Sequence, residues 1–151
     1  MAAFITRSVT EPDQPRWREL FNGYAAFYKS PMDDDIAARV WGWLLDPDHV
    51  MEAILVCDEE NGRVLGLAHV RACPRSLGGC DVGFLDDMFV EPGARGSGAA
   101  DALFSALDQL ATERGWPAIR WITQHFNDRG RAFYDRYTGG PSDFLMYQWK
   151  R

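Results

Sequence analysis

At 151 residues and a formal charge of −6, the chain is long enough to bury one core and lacks the basic footprint of a nucleic-acid binder. Hydrophobic residues at 46% and charged residues at 25% are the proportions of a soluble globular domain. No apolar run nears the roughly 20 residues of a membrane span, and Met1 to Arg7 lacks the apolar core of a secretory signal. Three cysteines (Cys57, Cys73, Cys80) without a C-x-x-C spacing, and three scattered histidines, offer no metal site and fit reduced thiols in a cytoplasmic protein.

In chain order, residues 3–10 predict a short strand ending at a Glu-Pro break. Asp13-Gln14-Pro15 starts a helix, with Asp13 as the capping carboxylate and a proline whose missing N–H costs nothing there. That helix runs to about Lys29 and stripes Trp17, Leu20, Phe21, Tyr24, Phe27 and Tyr28 along one side, with Tyr24 and Tyr28 also candidates to wall a pocket. Asp33, Asp34 and Asp35 open a second helix, favoured there by its dipole, with Ile36, Val40, Trp43 and Leu44 as its buried stripe. A strand at 50–57, an Asn61-Gly62 turn and a strand at 63–71 form a hairpin. His69 lies inside its second arm, as a satisfied core histidine or a catalytic one.

After a loop at 74–79 comes an apolar strand, 84–90, interrupted by Asp86 and Asp87. Strand alternation puts the two on opposite faces, and carboxylates in such a strand are costly unless paired or used. Glu91-Pro92-Gly93 breaks the strand, a glycine-rich turn follows, and a helix carries Ala99, Leu103, Phe104, Leu107, Leu110 and Ala111 at three- and four-residue spacing. Gly115 and Pro117 stop it. A strand at 119–123 and a short helix capped by Asn127-Asp128, with Phe133, Tyr134 and Tyr137, follow; Gly139-Gly140-Pro141 then precedes a last strand at 144–149. The order β-α-α-β-β-β-α-β-α-β predicts a single α/β (α+β) domain over 1–151, with a mixed, mostly antiparallel sheet and helices on both faces.

A strand feeding a glycine turn feeding a helix is a candidate anion cradle. The first helical N–H groups have no internal partner, the dipole leaves that end partly positive, and Arg95 adds a full charge. The turn lacks the Lys-[Ser/Thr] ending of a nucleotide P-loop and misses the dinucleotide spacing. What fits is Arg95-x-x-Gly98-x-Ala100, which resembles the acetyl-CoA signature of the GCN5-related N-acetyltransferases, with Asp86 to Val90 similar to that family's central strand. The resemblance covers nearly the whole chain and implies a fold with two neighbouring strands splayed apart around acetyl-CoA. It implies backbone contacts from Met88, Phe89 and Val90, and a pyrophosphate seat formed by Arg95, Gly96, Ser97, Gly98, Ala99 and Ala100.

Acetyl transfer to an amine needs a base for the ammonium proton, an acid for the leaving thiol and a donor for the carbonyl oxygen. The resemblance implies Asp86 as base, acting through water, with Asp87 as the alternative. It also implies Asn127 at the pantetheine arm and Tyr134, seven residues on, as the acid; this pair recurs in polyamine, thialysine and yeast Hpa-type acetyltransferases. Thr138 stands where a glycine is usual in those relatives. The expected reaction is acetyl-CoA-dependent N-acetylation of a small primary amine, such as a polyamine or amino acid, by direct attack. A noncatalytic acyl-CoA-binding domain and a protein or histone lysine acetyltransferase are the alternatives. Candidate acceptor residues are Tyr24, Tyr28, Asp33, Asp34, Trp41 and His69, with Asp35 and Trp43 nearby in sequence. Six tryptophans in so small a chain further predict a homodimer.

Overall fold

Alternating and three-to-four-residue apolar spacing yield the elements that pattern dictates. The computed structural model describes residues 3–151, in two compact units that meet in sequence between Trp121 and Ile122. The first unit contains β1 (Phe4–Ser8), α1 (Gln14–Phe27), α2 (Asp34–Leu45), β2 (Met51–Asp58), β3 (Val64–Arg75), β4 (Cys80–Val90), α3 (Ala99–Arg114) and β5 (Ile119–Arg120). The sheet order is β1-β2-β3-β4-β5, antiparallel through β4, with β5 parallel to β4. The helix between β4 and β5 is what allows the parallel pair.

Helices cover both faces. Trp17, Leu20 and Phe21 of α1 and Ala37 of α2 bury themselves with Leu55, Cys57, Val64 and Leu67 of the sheet. Phe4 pairs with Asp58, so it lies on the opposite face from Cys57, and its ring meets Gly98 at the head of α3. α3 buries Ala99, Leu103, Phe104, Leu107 and Ala111, five of the six positions its spacing picked out.

Three local expectations change. Phe27 is half exposed: with Leu20, Gly23 and Phe89 it lines an open cleft between α1 and the end of β4. In α2 the inward positions are Ala37, Val40, Trp41 and Leu44, a regular i, i+3, i+4, i+7 face; Trp43 points aside and stacks flat on His49 at 5.0 Å. Asp13 does not cap α1 with its side chain. Its carboxylate takes both Arg7 guanidinium nitrogens, at 2.7 and 2.8 Å, and the Thr10 N–H at 2.8 Å, tying β1 to the start of α1.

β3 is longer than expected and runs through Pro74 to Arg75, paired with β4. β2 flanks β3 only as far as Arg71, so Pro74 sits on an edge, where a sheet tolerates proline.

The second unit contains α4 (Asp128–Thr138), closed by Gly139 in the left-handed region. The expected strand at 144–149 is not formed: these residues carry no regular structure, and Phe144, Leu145, Met146, Tyr147 and Trp149 are exposed. A strand exists by pairing, and alternation in the sequence supplies a partner for none of its N–H and C=O groups.

Candidate active site

The β3–β4 ladder contains one irregularity, and it falls on the acidic pair. His69 pairs with Asp87 and Val70 pairs with Leu85, leaving Asp86 unopposed as the extra residue of a β-bulge. A bulge breaks the two-residue alternation. His69 and Arg71 lie two apart on β3 and therefore on one face; Asp87 Oδ2 stands 2.8 Å from His69 Nδ1, and Arg71 Nε donates to Asp86 Oδ2 at 2.8 Å. Both carboxylates thus lie on the α1 face, not on opposite faces as alternation predicted. Tyr24 of α1 donates its hydroxyl to the Asp86 carbonyl at 3.3 Å, and its ring lies 4.8 Å from that of Tyr28.

The pairing of β5 with β4 is confined to Gly83 and Phe84. Beyond them β4 runs on through Val90 with its outer edge unpaired by β5. The Glu91 N–H turns inward to the Leu65 carbonyl, so by ladder alternation Met88 and Val90 direct their main-chain groups outward. The Val90 carbonyl confirms this direction by accepting from Arg95 Nε at 3.1 Å. The Arg95 guanidinium also lies over the Phe89 ring, 5.3 Å from its centroid.

The turn after β4 carries Gly96 and Gly98 at φ +77° and +104°. Gly98 is the residue before α3, and no side chain caps that end. Its φ is one that side-chain-bearing residues adopt only under strain, so the glycine is fixed by backbone geometry. Ser97 is exposed and donates its hydroxyl to the Ala94 carbonyl at 2.5 Å, while Ala99 is buried and Ala100 half-buried at the head of α3. An uncapped helix start behind a glycine turn, with Arg95 beside it, is chemically suited to a diphosphate.

Asp86 is about one-quarter exposed. Burial raises its carboxyl above the ordinary value, the Arg71 guanidinium opposes that rise, and the charge of Asp87 adds to it; the net direction is upward. Such a carboxylate holds a proton more readily than one in water, as a base requires. His69 is 1% exposed, and its Nε2 lies 3.0 Å from the Trp17 indole nitrogen. It is a satisfied histidine, with both nitrogens engaged.

The other acceptor candidates make local contacts. Asp33 Oδ1 caps α2 by accepting the Ile36 N–H at 2.8 Å, and Asp34 pairs with Arg18 at 3.0 Å. Trp41 lies 4.9 Å from the Trp17 ring. Arg71, which sequence reasoning missed, is part of the acidic cluster; its position two residues after His69 on the same arm of the hairpin was the available signal.

In the second unit, Asn127 caps α4: its Oδ1 accepts from the Gly130 N–H at 3.3 Å and its Nδ2 donates to Thr123 Oγ1 at 3.0 Å. A Cβ at Gly130 would lie 2.4 Å from Asn127 Nδ2, so this cap requires glycine there. Tyr134 follows two turns later on the same helix, its ring 5.9 Å from Phe133.

A mixed sheet with a parallel pair that stops short, a bulge holding two acids and a glycine turn into a helix define an acyl-transfer enzyme of the acetyltransferase fold. The family model for the acetyltransferase (GNAT) family matches residues 15–139, and the chain belongs to that family as an N-acetyltransferase. It is 27% identical over 144 residues to the D-amino-acid N-acetyltransferase HPA3 of Saccharomyces cerevisiae, covering 95% of this chain and 89% of the relative. It is 31% identical over 117 residues to the uncharacterized N-acetyltransferase YhfO of Bacillus subtilis, covering 78% and 76%. Among solved structures, aminoglycoside N-acetyltransferase AAC(6')-Iy in complex with CoA superposes with a TM-score of 0.84 at 19% identity, over 100% of this chain and 97% of the other. Among the described residues, no helix is long and apolar enough to cross a membrane.

Proposed function

We propose that this enzyme moves an acetyl group from acetyl-CoA to the primary amine of a small molecule, by direct attack of the amine on the thioester. Acetyl-CoA is the donor, supplying an acetyl group already activated as a thioester. The glycine turn from Arg95 to Ala100 receives its diphosphate, and the outward main-chain groups of Met88 and Val90, with Phe89 between them, take the pantetheine and acetyl portions.

The bulge is the observation that carries the reading. It turns Asp86 onto the α1 face next to Asp87, where burial raises its carboxyl, and does so where β5 has ceased to pair with β4. Asp86 takes one proton from the ammonium, directly or through a water; the freed amine then forms the C–N bond as the C–S bond breaks. Tyr134 gives its phenolic proton to the departing sulfur and is reprotonated, through solvent, by the second proton the nitrogen sheds on becoming an amide; Asn127 holds the pantetheine arm. These two roles rest on the seven-residue spacing the chain shares with related acetyltransferases.

The acceptor is a small cationic amine, of the polyamine or amino-acid kind. Two half-buried carboxylates on the face where Tyr24 and Tyr28 pack favour a cation, and the yeast relative HPA3 is a D-amino-acid N-acetyltransferase, an enzyme that acts on amines. The family match crosses from the first unit into the second, which supports one catalytic domain over the whole chain. Three free cysteines agree with a cytoplasmic enzyme, and the exposed apolar residues at 144–149 agree with a homodimer.

The test is a thiol-release assay over a panel of polyamines and amino acids, comparing wild type with Asp86→Asn and Asp87→Asn. Asparagine keeps an oxygen for Arg71, so the fold survives. Loss of the base lowers kcat by about 10²–10⁴. Tight CoA binding without turnover on any amine identifies a binding domain instead, and full activity in Asp86→Asn moves the base elsewhere.

A further inference from the structure

Asp87 is not used by the reaction just described, and it is tied to a buried histidine. An indole N–H only donates, so the 3.0 Å contact from Trp17 Nε1 requires His69 Nε2 to accept. The ring proton of a neutral imidazole then sits on Nδ1, 2.8 Å from Asp87 Oδ2, and is donated to it. Phe21 closes over the imidazole edge-on, 5.0 Å away at 86°. His69 is therefore held in one tautomer and one plane, with neither nitrogen open to solvent or substrate.

What this does to Asp87 follows from its exposure. Its Oδ2 is fixed by His69, the side chain is 22% exposed, and Oδ1 makes no hydrogen bond among the described residues. Next to it Asp86 Oδ2 is taken by Arg71. Two carboxylates, one guanidinium and a neutral imidazole leave the cluster one negative charge in excess, which a single ammonium balances. Tyr24, bonded to the bulge carbonyl, and Tyr28 add aromatic faces on the same side.

We propose that His69, held in a single tautomer by Trp17, is a positioning residue for Asp87, and that Asp87 so held seats the ammonium of the acceptor. The two acids divide the work: Asp87 binds the cation and Asp86, one residue away, removes its proton. This rests on the acetyl-transfer reading of the same cluster.

Two measurements test it. In ¹⁵N NMR of imidazole-labelled protein, wild-type His69 shows a protonated Nδ1 and a bare Nε2, and Trp17→Phe, which keeps an aromatic ring but removes the donor, admits the other tautomer. A wild-type signal with the proton on Nε2 overturns the proposal. In kinetics, His69→Leu removes the donor and raises the acceptor KM about tenfold or more, the scale of losing a hydrogen bond to a charged group, with the acetyl-CoA KM unchanged. His69→Asn places an amide nitrogen where Nδ1 lies and restores the acceptor KM to within about threefold. The double variant His69→Leu/Asp87→Asn is no worse than Asp87→Asn alone. Equal impairment in His69→Leu and His69→Asn, or an unmoved acceptor KM, shows a packing role and refutes positioning. If wild type releases no thiol with any amine, the acetyl-transfer reading and the ammonium seat both fail, while the NMR tautomer still decides the His69–Asp87 link.

Discussion

Asp13→Asn tests how the sheet is fastened to the helix that carries Trp17 and Tyr24. Asp13 is nearly buried; it accepts from both guanidinium nitrogens of Arg7, the Thr10 N–H and the Thr10 hydroxyl at 2.7–3.0 Å. The Arg7 hydrogen bonds are the largest influence and, with Thr10, outweigh burial to hold the carboxyl down at about 2 against an unfolded value of 3.8. A folded value below the unfolded one stabilises the ionised protein above the unfolded value, and that stabilisation disappears as pH falls from about 4 toward 2. At 1.36 kcal/mol per pH unit the difference is about 2 kcal/mol. Urea unfolding at pH 7 should therefore find Asp13→Asn less stable than wild type by about 2 kcal/mol, a drop in Tm of several degrees for a chain this size. The gap should close as both proteins are taken toward pH 2, because wild type loses there what the variant never had. A gap that stays constant from pH 7 to pH 2, or no gap at pH 7, refutes the linkage.

Ser97→Glu tests the anion seat without touching Gly98, whose φ of +104° makes any substitution there a test of backbone strain as well. The exposed carboxylate sits by the α3 N-terminus, where it suits the helix but repels a diphosphate, so calorimetry should show acetyl-CoA binding weakened about tenfold or more with Tm unchanged. Unaltered affinity places the diphosphate elsewhere. Arg71→Met removes the charge that opposes the upward push on Asp86, so the acid limb of kcat/KM moves to higher pH; a limb that stays or moves down shows that Asp86 is not the titrating base. Light scattering at tens of micromolar should give a dimer mass, and a monomer mass ends the homodimer reading.

Much of the fold follows from local chemistry that any reader of the chain can apply. The helix α3, its glycine entry and its glycine exit were legible because positive φ and apolar spacing are properties of a few consecutive residues. The β2–β3 hairpin, the acidic start of α2 at Asp33 to Asp35 and the capping role of Asn127 were legible for the same reason. Tertiary structure decided what depends on partners distant in sequence. The bulge at Asp86 is a mismatch in count between two strands, visible only once His69 is opposite Asp87 and Val70 opposite Leu85. That single extra residue turned two carboxylates that alternation separates onto one face and brought Arg71 to one of them. The histidine tautomer needed Trp17, 52 residues earlier in the chain, to come within 3.0 Å. Residues 144–149 have a strand's composition and no strand's structure, because composition sets a preference for extended backbone while only a neighbouring strand can satisfy its hydrogen bonds.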